Sequence, residues 1–347
     1  MDKDGSEVNY MTFSEESRAF LDLLMGKRVY KPPFWEPWFD MIEFFRRRYG
    51  DPEKIENKIR MAYDLGMAAV KLGYIDINAS FRRDELTSAG VSRYAGGSLT
   101  SLKQLEEREL PDWSSLIQKW RRHQKIVREA GLISWVVLPW CFHVTATSMG
   151  HENFFIKLYR DPGFIEKAFD WVEERSRLAI DTVIREVKPD FVLFDGDCAD
   201  KHGLMVNPKL FRSLVYERTK ETVSRLKHLG IPYAFHTDGK LDDVIPILIE
   251  LGFSMVHGCE KNANNLEYLV NRFGDEIVLS GNMDVVFLST ASPEEIRRET
   301  ELMLRVGCLK GKFVAACNTS PQDYIPEENY LAMVETIKNF KGPKPSS

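Results

Sequence analysis

The chain has 347 residues, 44% of them hydrophobic, and a formal net charge of −5 from 47 basic and 52 acidic side chains. These charges are spread along the chain without a basic run long enough to follow a phosphate backbone, so a nucleic-acid-binding role is disfavoured. The apolar content suffices for a large core, and barrels of this size commonly form one domain. We therefore expect a single domain.

The five cysteines are few, odd in number and widely separated, which is unlike the disulfide framework of a small secreted protein. Reduced thiols in the cytoplasm fit this pattern better. No stretch reaches the roughly 18 apolar residues of a membrane-spanning helix, and the N-terminus is polar and acidic rather than signal-like. We expect a cytoplasmic protein without a membrane partner.

The N-terminal part of the chain carries amphipathic helical patterns, for example over residues 15–24 and 41–49. We expect residues 1–65 to form a helical cap or lid that belongs to the same domain as the rest of the chain.

From about residue 68 onward, short apolar runs alternate with longer stretches of helical period, which is the pattern of βα units around a parallel sheet. Seven such runs occur, at 68–74, 133–140, 191–197, 232–239, 253–260, 277–284 and 313–319. An eighth is less evident, and the Pro- and Trp-rich segment 31–39 is the best candidate. The pattern predicts an α/β fold, a (β/α)8 TIM-type barrel over residues 66–340, with a disordered tail at 341–347.

Each predicted strand begins with apolar residues and finishes with side chains that can do chemistry. In chain order these are Asp76, Trp140 and His143, Asp195 and Asp197, His236 and Asp238, Cys259 and Glu260, Asn282 and Asp284, and Cys317 and Asn318. The active site of such a barrel lies at the carboxyl ends of its strands, so these residues predict a pocket. Taken singly, an Asp or Asn after a strand is more often a turn former or helix N-cap than a catalyst.

His236 and Asp238 are the most informative pair, because side chains at positions i and i+2 of a strand point to the same side of the sheet. They suit either an acid/base pair or a shared metal ion. Cys317 offers a soft ligand and Glu260 a hard one. A histidine, a carboxylate and a thiolate with one open position suit catalytic zinc, so we expect zinc bound by His236, Glu260 and Cys317.

The second half of the chain contains the segments HTDG at 236–239, GNMD at 281–284, PEE at 293–295, PEEN at 326–329, and the stretch 195–211. These segments resemble the uroporphyrinogen decarboxylase and corrinoid-dependent methyltransferase superfamily. The resemblance implies the same barrel fold and one of two main chemistries.

Uroporphyrinogen decarboxylases remove carboxylates from a tetrapyrrole without a cofactor. They use an invariant aspartate, which Asp76 could match, and an N-terminal arginine-rich motif. At the place of that motif this chain has the sequence WEPW at 35–38. Glu36 would repel a polycarboxylate rather than bind it. This departure disfavours a tetrapyrrole carboxy-lyase, which stays the alternative.

The methyltransferase branch moves a methyl group between a corrinoid on a partner protein and a thiol, a folate or a methoxylated compound. Its thiol-methylating members hold zinc with a His-x-Cys pair and a later Cys. His236 and Cys317 match two of these ligands, whereas Asp238 stands in place of the first cysteine and Glu260 is the nearest substitute. The resemblance thus implies a zinc-assisted, corrinoid-dependent methyltransferase whose partners are a corrinoid protein and a small molecule.

In this hypothesis the catalytic residues, including the groups that give or take a proton, are His236, Asp238, Asp195 and Asp197. The residues expected to bind substrate are Asp76, Trp140, His143, Asn282 and Asn318. A further possibility is a barrel that binds a corrinoid or another small molecule without catalysis, since fold alone does not imply activity.

Overall fold

The computed structural model describes residues 13–86 and 92–342. Seven parallel strands form one curled sheet with helices packed around it, in the order β1-β4-β5-β8-β9-β10-β11. These strands are β1 (Ala69–Tyr74), β4 (Ile133–Pro139), β5 (Phe191–Asp195), β8 (Tyr233–His236), β9 (Met255–His257), β10 (Val278–Met283) and β11 (Phe313–Cys317). Each of the seven runs predicted from the sequence contains one of them, so the predicted TIM-type barrel is confirmed.

The gap between β11 and β1 is bridged by the segment that the sequence suggested for an eighth strand. Phe34 forms parallel bridges to Met67 on one side and to Ala315 of β11 on the other. The Ala68 N–H donates to the Phe34 carbonyl (2.7 Å) and the Trp35 N–H to that of Ala315 (3.2 Å). The segment makes single bridges rather than a full ladder, because the prolines around Phe34 have no N–H to donate.

Most of the helices pack on the outside of the sheet. Those of the described residues are α1 (Glu15–Leu24), α2 (Ile42–Tyr49), α3 (Ile55–Leu65), α4 (Leu102–Glu106), α5 (Ser114–Glu129), α6 (Cys141–Met149), α7 (His151–Arg160), α8 (Pro162–Ala179), α9 (Arg185–Val187), α10 (Pro208–Leu229), α11 (Ile245–Leu251), α12 (Leu266–Phe273), α13 (Val285–Thr290), α14 (Pro293–Gly307) and α15 (Glu327–Asn339). The described residues also contain a π-helical turn at Ile180–Ile184 and a 3-10 turn at Cys308–Lys310.

Two antiparallel pairs that the sequence analysis did not predict lie in the loops after strands. β2 (Arg82–Leu86) pairs with β3 (Ser92–Gly97) after β1, and β6 (Ala199–Asp200) pairs with β7 (Gly203–Leu204) after β5. Both follow the carboxyl ends of barrel strands, so they add to the loops that surround the predicted pocket.

The interior of the barrel is filled by every second residue of the strands together with α1. Phe20 of α1 is fully buried there and contacts Trp35 and Phe191, each with ring centroids 5.3 Å away. The Ser17 hydroxyl of α1 donates to the carbonyl of Ala68, immediately before β1. Helix α1 therefore closes the amino-terminal end of the barrel, opposite the end where the predicted pocket lies.

The alternate residues of the strands face outward and pack against the helices in a second, larger cluster. All five cysteines are buried free thiols. Within the described ranges, no helix combines the length and the apolar character that crossing a membrane requires. Residues 1–12 of the expected cap and 343–347 of the expected tail lie outside the described residues.

Candidate metal centre

The strand alternation decides which polar side chains face the inside of the barrel. Ala234 of β8 and Met255 of β9 belong to the interior cluster, so His236 and His257, two residues further on, face inward as well. The two histidines are paired in the sheet register, as are Asp195 of β5 and His236. Three neighbouring strands thus end in polar groups that line one wall of the mouth, the opening of the barrel at the carboxyl ends of its strands.

Asp197, His236 and Asp238 form a compact group whose ligand atoms all lie within 4.8 Å of one another. His236 Nε2 is 3.6 Å from Asp197 Oδ1 and 3.7 Å from Asp238 Oδ1. Both separations are too long for hydrogen bonds. His143 lies beside the group, with its Nδ1 3.6 Å from Asp197 Oδ2.

Hydrogen bonds behind the group fix which nitrogen of His236 faces it. His257 Nε2 is 3.0 Å from the carbonyl oxygen of Cys317, and because a carbonyl only accepts, this nitrogen carries the proton. Burial holds the pKa of His257 well below its usual range, and His236 lowers it further, so the ring is neutral and its Nδ1 is an acceptor. His236 Nδ1, 2.8 Å away, must then donate to it. The nitrogen of His236 that is left to bind a metal ion is therefore Nε2, which faces Asp197 and Asp238.

Asp238 has an oxygen atom that a bound cation could pair with. Its Oδ1 is buried and has no hydrogen-bond partner in the described part of the chain. Burial raises the pKa of Asp238 to about 6, with Asp197, Glu260 and Asp195 adding to the rise and His236 opposing it. A buried oxygen without a partner is costly, and a cation between it and His236 would remove that cost.

The three donors fit a divalent cation. Ligand atoms about 2.1 Å from a tetrahedral ion lie roughly 3.4 Å apart, close to the separations around His236 Nε2. One imidazole and two carboxylates also form a harder ligand set than one that contains a thiolate, so the donors suit zinc and also manganese or ferrous iron.

The ligand set expected from the sequence is not the one that the structure brings together. Cys317 follows Ala316, whose side chain faces the interior, so the thiol points outward into the cluster under the helices. There burial raises the pKa of the Cys317 thiol well above its usual range, and the neighbouring buried Glu36 raises it further. Glu260 Oε2 accepts the N–H of Gly239 (2.7 Å), which leaves Glu260 at the edge of the group. His236 is the one expected ligand in it.

Most residues expected to bind substrate have other partners. Trp140 faces outward and donates its indole N–H to Thr219 of α10 (2.9 Å). The Asn282 amide donates to the Cys259 carbonyl (2.8 Å), and the Asn318 side chain accepts the N–H of Val285 at the start of α13 (3.2 Å). Asp76 is exposed and accepts the N–H of Asn78 in a turn (2.7 Å). Only His143 of this set lies in contact with the group.

Three residues at the site are not among the catalytic, substrate-binding and metal-binding residues that the sequence predicts. Trp38 contacts His236 edge to face with ring centroids 4.5 Å apart, and the ammonium group of Lys71 of β1 lies 5.8 Å from the centre of the Trp38 ring. His257, which the sequence places within a strand, is the last residue of β9, as His236 is of β8. Glu36, expected to face an incoming substrate, is buried and accepts the N–H of Cys317 (3.2 Å), so it does not face the mouth.

Comparison with known proteins agrees with this fold. A methyltransferase from Methanosarcina mazei shares the fold with a TM-score of 0.72 at 18% identity, over 94% of this chain and 98% of that one. A protein assigned as a vitamin-B12-independent methionine synthase from Listeria monocytogenes aligns with a TM-score of 0.50 at 8% identity, over 90% and 96% of the chains. No curated protein sequence matches. The family model for uroporphyrinogen decarboxylase (URO-D) matches residues 95–340, and the chain therefore belongs to the URO-D family.

Proposed function

We propose that this protein is a metal-dependent methyltransferase that exchanges a methyl group with a corrinoid carried by a partner protein. The observation that carries the proposal is the group Asp197, His236 and Asp238, in which the Nε2 nitrogen of His236 faces a buried carboxylate oxygen of Asp238 that has no hydrogen-bond partner among the described residues. The fold shared with a methyltransferase supports the reaction class. Zinc is the metal that we propose, held by these three side chains.

A divalent ion bound there would act as a Lewis acid that lowers the pKa of a thiol or hydroxyl group of the methyl acceptor, or polarises the oxygen of a methoxylated donor. The chain's own residues prepare the site. His257 accepts the proton of His236 Nδ1 and so directs Nε2 at the site, Trp38 contacts the imidazole edge to face, and His143 beside Asp197 is placed to take or give a proton at the substrate.

The arrangement of charge disfavours the tetrapyrrole carboxy-lyase. Four carboxylates lie close together at this end of the barrel, namely Asp195, Asp197, Asp238 and Glu260. Burial raises the pKa of Asp238, and the other three carboxylates add to that rise. A tetrapyrrole that bears many carboxylates would be repelled by this wall. A small substrate with little negative charge suits it better.

The test is a methyl-transfer assay on zinc-loaded protein. Free methylcobalamin with a panel of thiols, and cob(I)alamin with a panel of methoxylated compounds, would be followed by their visible absorbance. We expect turnover in at least one direction and a loss of about a hundredfold or more in His236→Ala, with the surface variant Lys125→Met unchanged. Equal rates in His236→Ala and wild-type protein, or carbon dioxide release from uroporphyrinogen, would refute the proposal.

A further inference from the structure

Lys71 is a cation inside the barrel that the proposed reaction does not use. It is paired in the register of the sheet with Trp135, whose side chain belongs to the interior cluster. A bulge follows it, after which Leu72 and Gly73 both face the outer helices. The Lys71 side chain thus points into the interior of the barrel, away from the outer helices.

The ammonium group of Lys71 is enclosed by aromatic rings rather than by acids. Its Nζ lies 5.8 Å from the centre of the Trp38 ring and 5.7 Å from that of Trp135. It donates to the carbonyl of Pro37 (3.1 Å). Among the described residues, no carboxylate lies within ion-pair distance of it. An ammonium has three donors, so the protein satisfies this one incompletely.

Burial lowers the pKa of Lys71 to about 8, and the nearby Lys58 lowers it further, while Asp40 and Asp195 act in the opposite direction from longer range. Cation–π attraction to the Trp38 and Trp135 rings offsets part of the free energy that burying the ammonium charge costs. A positive charge held in such a place, with donors to spare, is a ready partner for one anionic group of a ligand.

Trp38 connects this place to the metal centre. One indole contacts both groups, His236 at 4.5 Å between ring centroids and the Lys71 ammonium at 5.8 Å. A ligand that lies along Trp38 can therefore reach Lys71 with one end and the His236 group with the other. The single cation matches a single anionic group, in keeping with the acidic wall on the opposite strands.

We propose that Lys71 binds the carboxylate of the substrate, so that the methyl donor or acceptor is a small molecule with one carboxylate at one end and its reacting group at the other. The position of the reacting group at the metal centre rests on the proposed function. The carboxylate site is argued from the surroundings of Lys71 alone.

The first test measures binding of benzoate and of its uncharged isostere benzamide to chelator-treated protein by calorimetry. We expect wild-type protein to bind benzoate at least about tenfold more tightly than benzamide, as a charge-assisted hydrogen bond implies. Lys71→Met should lose that preference without weakening benzamide binding, and the exposed control Lys125→Met should behave as wild type. Unchanged benzoate affinity in Lys71→Met, or no saturable benzoate binding to wild-type protein, would overturn the proposal.

The second test uses pH and a variant that keeps the charge. Benzoate stays ionised across the range, so wild-type affinity should be level below about pH 8 and fall about tenfold per pH unit above it, as Lys71 loses its proton. Lys71→Arg should bind benzoate with no such fall, because guanidinium keeps its charge. A fall of the same size in Lys71→Arg would contradict the assignment. Both tests use metal-free protein, so the carboxylate site can be confirmed even if the methyltransferase proposal fails. Equally, methyl transfer can be observed even if Lys71 does not bind a carboxylate.

Discussion

At the scale of single residues, the hydrogen bond between His236 and His257 has the largest consequence for the site. An imidazole can bind a metal ion only through an unprotonated nitrogen. Here the carbonyl of Cys317 fixes the proton of His257, and His257 in turn fixes that of His236. The carbonyl oxygen of Cys317 therefore decides which nitrogen of His236 faces Asp197 and Asp238, although His257 lies between them.

Replacing His257 with leucine should therefore weaken metal binding. The variant removes the acceptor for His236 Nδ1, so the ring is free to place its proton on Nε2. Loss of such a supporting partner typically costs about 10- to 100-fold in metal affinity. Competition with a chromogenic chelator would measure it, with the exposed His202→Leu as the control. Equal zinc affinity in His257→Leu and wild-type protein would show that His236 is oriented by other contacts.

Glu36 predicts a pH dependence of stability. Burial raises its pKa to about 8 from a usual value of 4.5, although hydrogen bonds from Cys317 and Tyr330 oppose the rise. The folded state therefore keeps a proton between these pH values that the unfolded state loses. Stability contributed by this residue is fully present below about pH 4.5 and declines as the pH rises to about 8.

Glu36→Gln should remove that decline, because the amide keeps the shape and an acceptor oxygen but never ionises. Urea unfolding at pH 5 and at pH 8.5 would compare the two proteins. We expect the variant to gain on the order of 1–3 kcal/mol relative to wild type between these conditions. If the two unfolding free energies change in parallel with pH, Glu36 is not the buried acid that the structure places beside Cys317.

At the scale of elements, the sequence predicted the barrel strands well and the loops poorly. Strands such as β4 and β5 are buried on both faces and appear as continuous apolar runs. The β2–β3 pair contains mostly charged and small residues, so no periodic pattern revealed it. The bridges of Phe34 depend on the ends of the sheet meeting, which is a tertiary property.

The same limit applies to the site. His236 and Asp238 could be paired from their spacing, and Asp197 follows from the inward alternation of β5. Cys317 could not be excluded as a ligand before the direction of its strand face was known. Beyond β9 the alternation is interrupted at Gly258, whose φ of +104° is accessible mainly to glycine. The direction of Glu260 was therefore not predictable from its spacing.

Helix α1 should be essential to the stability of the barrel, because Phe20 fills its amino-terminal end against Trp35 and Phe191. Phe20→Ala should lower the free energy of unfolding by about 3–5 kcal/mol. Tyr159→Ala, at a side chain 67% exposed, is the matched control and should change it by less than about 0.5 kcal/mol. Denaturant unfolding measures both. A loss below about 1 kcal/mol for Phe20→Ala would mean that α1 does not support the barrel interior.

At the scale of the whole molecule, the two ends of the barrel have different tasks. Helix α1 closes the amino-terminal end, so the substrate and the corrinoid partner of the proposed reaction would approach from the carboxyl ends of the strands. There the acidic groups at the ends of β5, β8 and β9 lie on strands beyond β4, whereas Lys71 lies on β1. The proposed metal and the proposed carboxylate site thus lie on different walls of one mouth.

The most direct test of this account is the zinc content of purified protein after metal loading and removal of unbound ion, in wild type, Asp238→Asn and Cys317→Ser. The structure predicts stoichiometric zinc in wild type and in Cys317→Ser, and its loss in Asp238→Asn, because Asp238 faces His236 while the thiol of Cys317 points away. Zinc retained in Asp238→Asn and lost in Cys317→Ser would contradict the proposed metal centre.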